Sequence, residues 1–212
     1  MSERAFGIEK KSFDIIDAEV GRHDYNDLQW IIVRRVVHAT ADFEFATGKG
    51  KIIFHPRAIE SGFAAIKNGC TIVADVDMVL AAINKKSMSE LGISAVCHIS
   101  DPSLAEQAQK MDKTRSEMAM RHAAKEMDGG IVVVGNAPTA LFEVMRMIKE
   151  GVTSPALVVG IPVGFVSAPE SKEELAKMDV PFITNSGRKG GSPAASSIIN
   201  AIMLLHRSTS PL

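Results

Sequence analysis

From Thr71 onward the chain alternates short unbroken apolar runs with longer segments whose apolar residues recur at helical spacing. The runs Thr71–Val76, Ser94–Ile99, Ile131–Gly135, Ala156–Ile161 and Pro181–Asn185 read as strands covered on both faces, the habit of a parallel sheet. Between and after them, Asp77–Ile83, Lys113–Met127, Pro138–Lys149, Ser171–Met178 and Pro193–Leu205 read as helices. Strand and helix in alternation imply right-handed crossovers and helices on both faces of the sheet. The expected fold is a single-domain three-layer α/β/α sandwich over residues 1–212, with a mostly parallel sheet of about five strands.

The N-terminal third reads differently. Ser12 is a natural N-cap for a short helix to Val20, with Phe13, Ile16 and Val20 on one face and Gly21 breaking it. A longer helix begins near Asp24, carries Leu28, Ile31, Ile32, Val36 and Val37 inward, and ends at His38. Asp42–Ala46 alternates like a strand or extended loop, Lys51–Phe54 suits a short edge strand, and Pro56 suits the first position of a helix running to Asn68, stopped by Gly69. No internal repeat, low-complexity tract or linker interrupts the chain.

Charge narrows the partners. Lys and Arg number 24 against 25 Asp and Glu, so there is no basic footprint for nucleic acid and no polybasic signal for a membrane surface. No apolar run approaches the ~20 residues of a membrane span, and Met1–Lys11 lacks an apolar signal core, so a cytoplasmic protein is expected. Cys70 and Cys97 lie in apolar runs outside any metal-ligand spacing, which suits buried, inert thiols and gives no metal site.

His38 is the first candidate for chemistry. At a helix C-terminus the dipole favours an imidazolium, which suits a proton donor; a capping or structural histidine is the alternative. The other candidates lie in loops expected beyond the carboxyl ends of the strands, where open α/β sheets bind ligands. The turn around Asn136, ahead of Pro138, offers free N–H groups to an anion, or is an ordinary turn. Asn185–Pro193 places Arg188 and Lys189 between Gly187 and Gly190 before a helix start, a composition suited to carboxylates or phosphates. Thr114 and Arg115 open a helix, where the guanidinium can grip a carboxylate with two bonds or pair with Asp112 or Glu117. Gly160–Val166 is an apolar loop able to line a flat hydrophobic face or simply pack. The glycine fingerprint of a nucleotide-dependent oxidoreductase is absent, and no cofactor site is expected.

Arg35–Ala39, Gly135–Phe142, Gly160–Val166 and Gly187–Ser192, in that order, together resemble the precorrin-8X methylmutase family of cobalamin biosynthesis, a resemblance running from Lys11 to about Ala201. It implies an isomerase that moves a methyl group from C-11 to C-12 of precorrin-8X or cobalt-precorrin-8. It further implies a homodimer and a corrinoid substrate. The family's catalytic histidine matches His38, and Ser12 and Arg115 match ligand-binding positions. Around Thr40–Asp42 the family varies, so Asp42 is either a partner of His38 or only a turn residue. The rival reading is a corrinoid carrier without turnover.

Overall fold

The computed structural model describes residues 3–209; residues 1–2 and 210–212 of the single expected domain lie outside the described residues. The chain runs α1 (Glu3–Val20), α2 (Asp27–Thr40), a 3-10 turn (Phe43–Phe45), β1 (Ile52–Phe54), α3 (Ala58–Lys67), β2 (Thr71–Ala74), α4 (Asp77–Ala82), α5 (Lys85–Leu91) and β3 (Ser94–Val96). It continues through α6 (Pro102–Lys110), α7 (Arg115–His122), α8 (Ala124–Met127), β4 (Ile131–Val134), α9 (Pro138–Lys149), β5 (Leu157–Gly160), α10 (Ala168–Leu175), β6 (Phe182–Asn185) and α11 (Ser192–Thr209).

The sheet order is β1-β6-β5-β4-β2-β3, parallel throughout except for β1, which runs antiparallel to β6 at one edge. The strands alternate between two cores, as pleating requires. Ile72, Ala74, Ile131, Val133, Leu157, Val159 and Ile183 face the helices α2, α3 and α11. Val73, Val132, Val134, Val158 and Phe182 face α7, α9 and α10. The three-layer sandwich expected from the apolar runs is therefore present, with six strands rather than about five because the Lys51–Phe54 edge segment joins the sheet. In α2, Ile32, Val33, Val36 and Val37 are fully or almost fully buried against α11, each contributing about 1.5–3 kcal/mol through removal of apolar surface from water.

The N-terminal third departs most from expectation. α1 begins nine residues before Ser12, so Ser12 is not a cap; its hydroxyl donates to the Ile8 carbonyl inside the helix. The helix-forming residues Glu, Arg, Ala and Lys before it carry the extension. α2 is capped by Asn26, whose side chain and that of Gln29 bond reciprocally to backbone, while Asp24 instead pairs with Lys51 at 3.1 Å. Asp42–Ala46 is no strand, because the Asp42 carboxylate accepts the Glu44 N–H and closes a 3-10 turn. Pro56 precedes α3 rather than opening it. The expected Lys113–Met127 helix starts at Arg115 and breaks at Ala123. α5 and α6 escape the periodicity because α5 buries nothing and α6 buries only Leu104 and Ala108.

The chain steps from β2 to β3 on one side and returns to β4 on the other, which makes the β2/β4 divergence the sheet's topological switch. Asp75, fully buried just after β2, closes it. Its carboxylate accepts the N–H groups of Gly135 (2.9 Å), Asn136 (2.8 Å) and Ala137 (2.7 Å). Burial raises the Asp75 pKa, and those N–H groups pull it back. Among the helices of the second layer, Glu143 of α9 is a buried anion. Lys113 lies 3.2 Å away and Arg121 2.5 Å away, and Arg146 pairs with it too. Burial pushes that carboxyl up, but hydrogen bonds from Arg121, Arg146 and Lys113 more than offset it, and the net pKa is lowered.

Two stability predictions follow from these buried anions. Asp75→Asn turns an NH2 group toward backbone N–H donors and leaves them unsatisfied, so urea unfolding should report a loss of about 2–3 kcal/mol at neutral pH. Glu143 has a lowered native pKa, so its contribution is present above the unfolded glutamate pKa of about 4.3 and is lost as pH falls through the native value. Glu143→Gln should therefore cost about 3 kcal/mol at pH 7 and flatten the acid limb of the stability profile below about pH 4. An unchanged acid limb would remove Glu143 from that account.

Candidate active site

His38 stands exposed in the last turn of α2, before Ala41 ends the helix in the left-handed region (φ 53°). α1 is held beside it by Asp17, which accepts from Trp30 Nε1 (3.0 Å) and Arg34 (2.7 Å) on α2. That docking sets the Phe13 ring edge-on to the His38 imidazole, centroids 5.2 Å apart. Ser12, Ile15, Ile16, Glu19, Ala41 and Phe43 join His38 around a shallow cavity of about 270 Å³. The structure thus brings Ser12 and His38 together although 26 residues separate them.

Asp42 ties this corner to the end of the sheet. Its carboxylate lies 2.6 Å from Lys189 Nζ, and Glu44 lies 3.3 Å from the same ammonium. The Asp42 hydrogen bond raises the Lys189 pKa. Asp42 is therefore both a turn residue and an ion-pair partner, but of Lys189 rather than His38. Lys189, expected to meet a carboxylate or phosphate of the ligand, is already paired with two carboxylates of the chain. Arg188 is not: it is exposed, no carboxylate pairs with it among the described residues, and its guanidinium lies over the Phe165 ring at 5.4 Å.

The loops bearing Phe165 and Arg188 are joined by backbone. Gly164 N–H donates to Arg188 O (3.1 Å) and Gly191 N–H to Ile161 O (2.9 Å). A Cβ at Gly190 would sit 2.4 Å from the Ile161 oxygen, so only glycine permits this approach. Gly187 turns the chain at φ 73°. Phe165 and Val166 stand 83% and 82% exposed, a bare apolar edge beside Arg188.

Thr114 caps α7, exchanging bonds with Glu117, and its hydroxyl meets that of Thr139 at 3.0 Å in the first turn of α9. Arg115 thus stands near the end of β4, exposed. Glu117 is committed to Thr114 and Lys113, and no carboxylate pairs with Arg115 among the described residues. The anion site expected at the start of α9 is filled from within: the Asn136 N–H belongs to Asp75, and only the exposed Asn136 side chain remains available. Asp75 escaped the sequence reading, although an acid closing an apolar run was a visible signal.

Both cysteines are free, and burial pushes both thiols up to about 11, as inert thiols require. Among the described residues, no group of three or more His, Cys, Asp or Glu could hold a metal ion, and no helix is long and apolar enough to cross a membrane.

Residues 7–205 match the family model described as precorrin-8X methylmutase. A cobalt-precorrin-8 methylmutase of Priestia megaterium is 52% identical over 198 residues, covering 93% of this chain and 87% of its own length. One from Leptospira interrogans is 44% identical over 206 residues, covering 93% and 92% respectively. The crystal structure of the precorrin-8x methyl mutase from Thermus thermophilus aligns with a TM-score of 0.88 at 38% identity, covering 96% of this chain and 99% of that one. The chain belongs to the precorrin-8X methylmutase family and is an isomerase.

Proposed function

We propose that the chain moves a methyl group from C-11 to C-12 of cobalt-precorrin-8, with His38 as proton donor to the macrocycle. The observation that carries this reading is His38 standing exposed at a cavity, at the same end of the sheet as two unpaired arginines and a bare apolar loop. A corrinoid presents an apolar ring edged with carboxylate arms. Arg115 and Arg188 suit the arms, Phe165 suits the ring face, and Ser12 lies beside His38 where a hydroxyl can meet substrate. The cobalt form is favoured by the two curated relatives named for it.

Substrate and product are isomers, so a proton lent by His38 during migration returns to it once the methyl has moved. Nothing else need be supplied by the protein except orientation, which alone lowers barriers substantially. The chain works as a homodimer in this reading. The exposed Phe6, Ile8 and Ile15 of α1, together with Val166, supply apolar surface for a partner subunit to cover.

Two variants test the assignment, followed by the change in absorption of the macrocycle. His38→Ala should lower kcat by about 10²- to 10⁴-fold, the usual worth of a general acid, while product binding holds within a few-fold. A rate that is flat from acidic pH through pH 8 and unmoved by His38→Asn would contradict the role; equal behaviour of mutant and wild type with ring binding intact would point to a carrier. Arg115→Ala should raise KM about 10- to 100-fold with little change in kcat, the signature of a lost charge-assisted grip. An unchanged KM would remove Arg115 from the site.

A further inference from the structure

Lys172 is a charged residue in an unexpected place. It lies on α10 beside buried Ala168, Ser171 and Leu175, and is itself fully buried. No carboxylate pairs with it among the described residues. Nζ donates to the Lys189 carbonyl oxygen at 2.6 Å and to Asn185 Oδ1 at 3.2 Å. Burial pushes its pKa down to about 8. An amine taken out of water without a counter-ion is costly, and a methionine would fill the same volume without that cost. What lysine adds here is the two hydrogen bonds.

Both bonds end on one loop. Asn185 closes β6, and its Nδ2 donates to Ser186 O (3.1 Å) and Lys189 O (2.9 Å). The Lys189 carbonyl is thus held twice from the inside, while its side chain reaches out to Asp42 and Glu44. Arg188 lies between these anchors, over Phe165, whose own loop leads directly into α10. One ammonium therefore fixes the relation between the apolar loop and the loop carrying the unpaired guanidinium.

We infer that Lys172 is a positioning residue for substrate binding: it holds the Ser186–Gly190 loop so that Arg188 is preset to receive a carboxylate arm of the corrinoid. This rests on the reading of Arg188 as a substrate contact. In that reading Lys172 touches no substrate and acts only through the loop.

The test uses Lys172→Met, Arg188→Ala and the double variant in the full-length enzyme, with cobalt-precorrin-8 as substrate and thermal unfolding measured alongside. Lys172→Met should raise KM about tenfold and leave kcat within about threefold, with only a small shift of the unfolding midpoint, because loss of the buried charge offsets the acceptor left bare on Asn185. The double variant should show the KM of Arg188→Ala alone, because the two changes remove one interaction. Effects that multiply in the double variant, or a parallel fall in kcat and stability, would overturn the inference. If Arg188→Ala raises KM and Lys172→Met does not, the inference fails while the arginine keeps its role. If Arg188→Ala leaves KM unchanged, the reading beneath it fails, and the inference with it. Should Lys172→Met not fold, Lys172→Gln keeps a polar group in place but is too short to hold both acceptors; a raised KM supports the inference and an unchanged KM overturns it.

Discussion

Where β2 and β4 part, three backbone N–H groups at the start of α9 converge on the buried carboxylate of Asp75. In many open α/β sheets a ligand's negative charge occupies this position. Here the protein supplies its own anion, and much else depends on that. The β4–α9 turn becomes rigid, Gly135 can lie against Ser192 and Val79 with no room for a side chain, and α11 packs over the switch point. In the proposed reading the site lies at the rim rather than in the crevice. Negative groups on a substrate must then be met by side chains at loop ends.

Charge along the rim is divided accordingly. Lys189 is neutralised by Asp42 and Glu44, and Lys172 is spent on a backbone carbonyl and an amide. These cations shape the loops. Arg115 and Arg188 stand exposed with no carboxylate paired to them among the described residues, so both have charge to offer a ligand. The division suits an isomerase acting on a bulky, arm-bearing ring. Such a reaction requires a held substrate and one well-placed donor rather than a nucleophile or an electron carrier.

Much of this was legible in the sequence where local pattern and burial agree. The five continuous apolar runs became the parallel strands; β2, β4, β5 and β6 are buried on both faces, whereas β3, expected to be covered too, is a half-exposed edge strand. The placing of His38 in the last turn of α2, which runs on to Thr40, was equally readable from the spacing of Ile32, Val36 and Val37. Ser12 was placed wrongly as a cap, because the helix formers before it extend α1, and its place beside His38 follows from the docking of α1 on α2. The misses in the N-terminal third are local, but two charged groups were misread because the partner lies far away in the chain. Asp75 and the Gly135 N–H are 60 residues apart, and Lys189 and Asp42 are 147 apart. Lys172, in the run Ser171-Lys172-Glu173-Glu174, reads as solvated surface. Its inward setting shows only in its helical register with Ala168 and Leu175.

In the proposed function a corrinoid lies across this rim with its reacting edge at His38 and its arms on arginine. A crystal structure of the protein with its reaction product tests that most directly. The account predicts an imidazole nitrogen of His38 within about 3 Å of the ring near C-11 and C-12, with carboxylate arms on Arg115 and Arg188. A product whose ring edge lies away from His38, or whose arms leave both arginines in solvent, would contradict it.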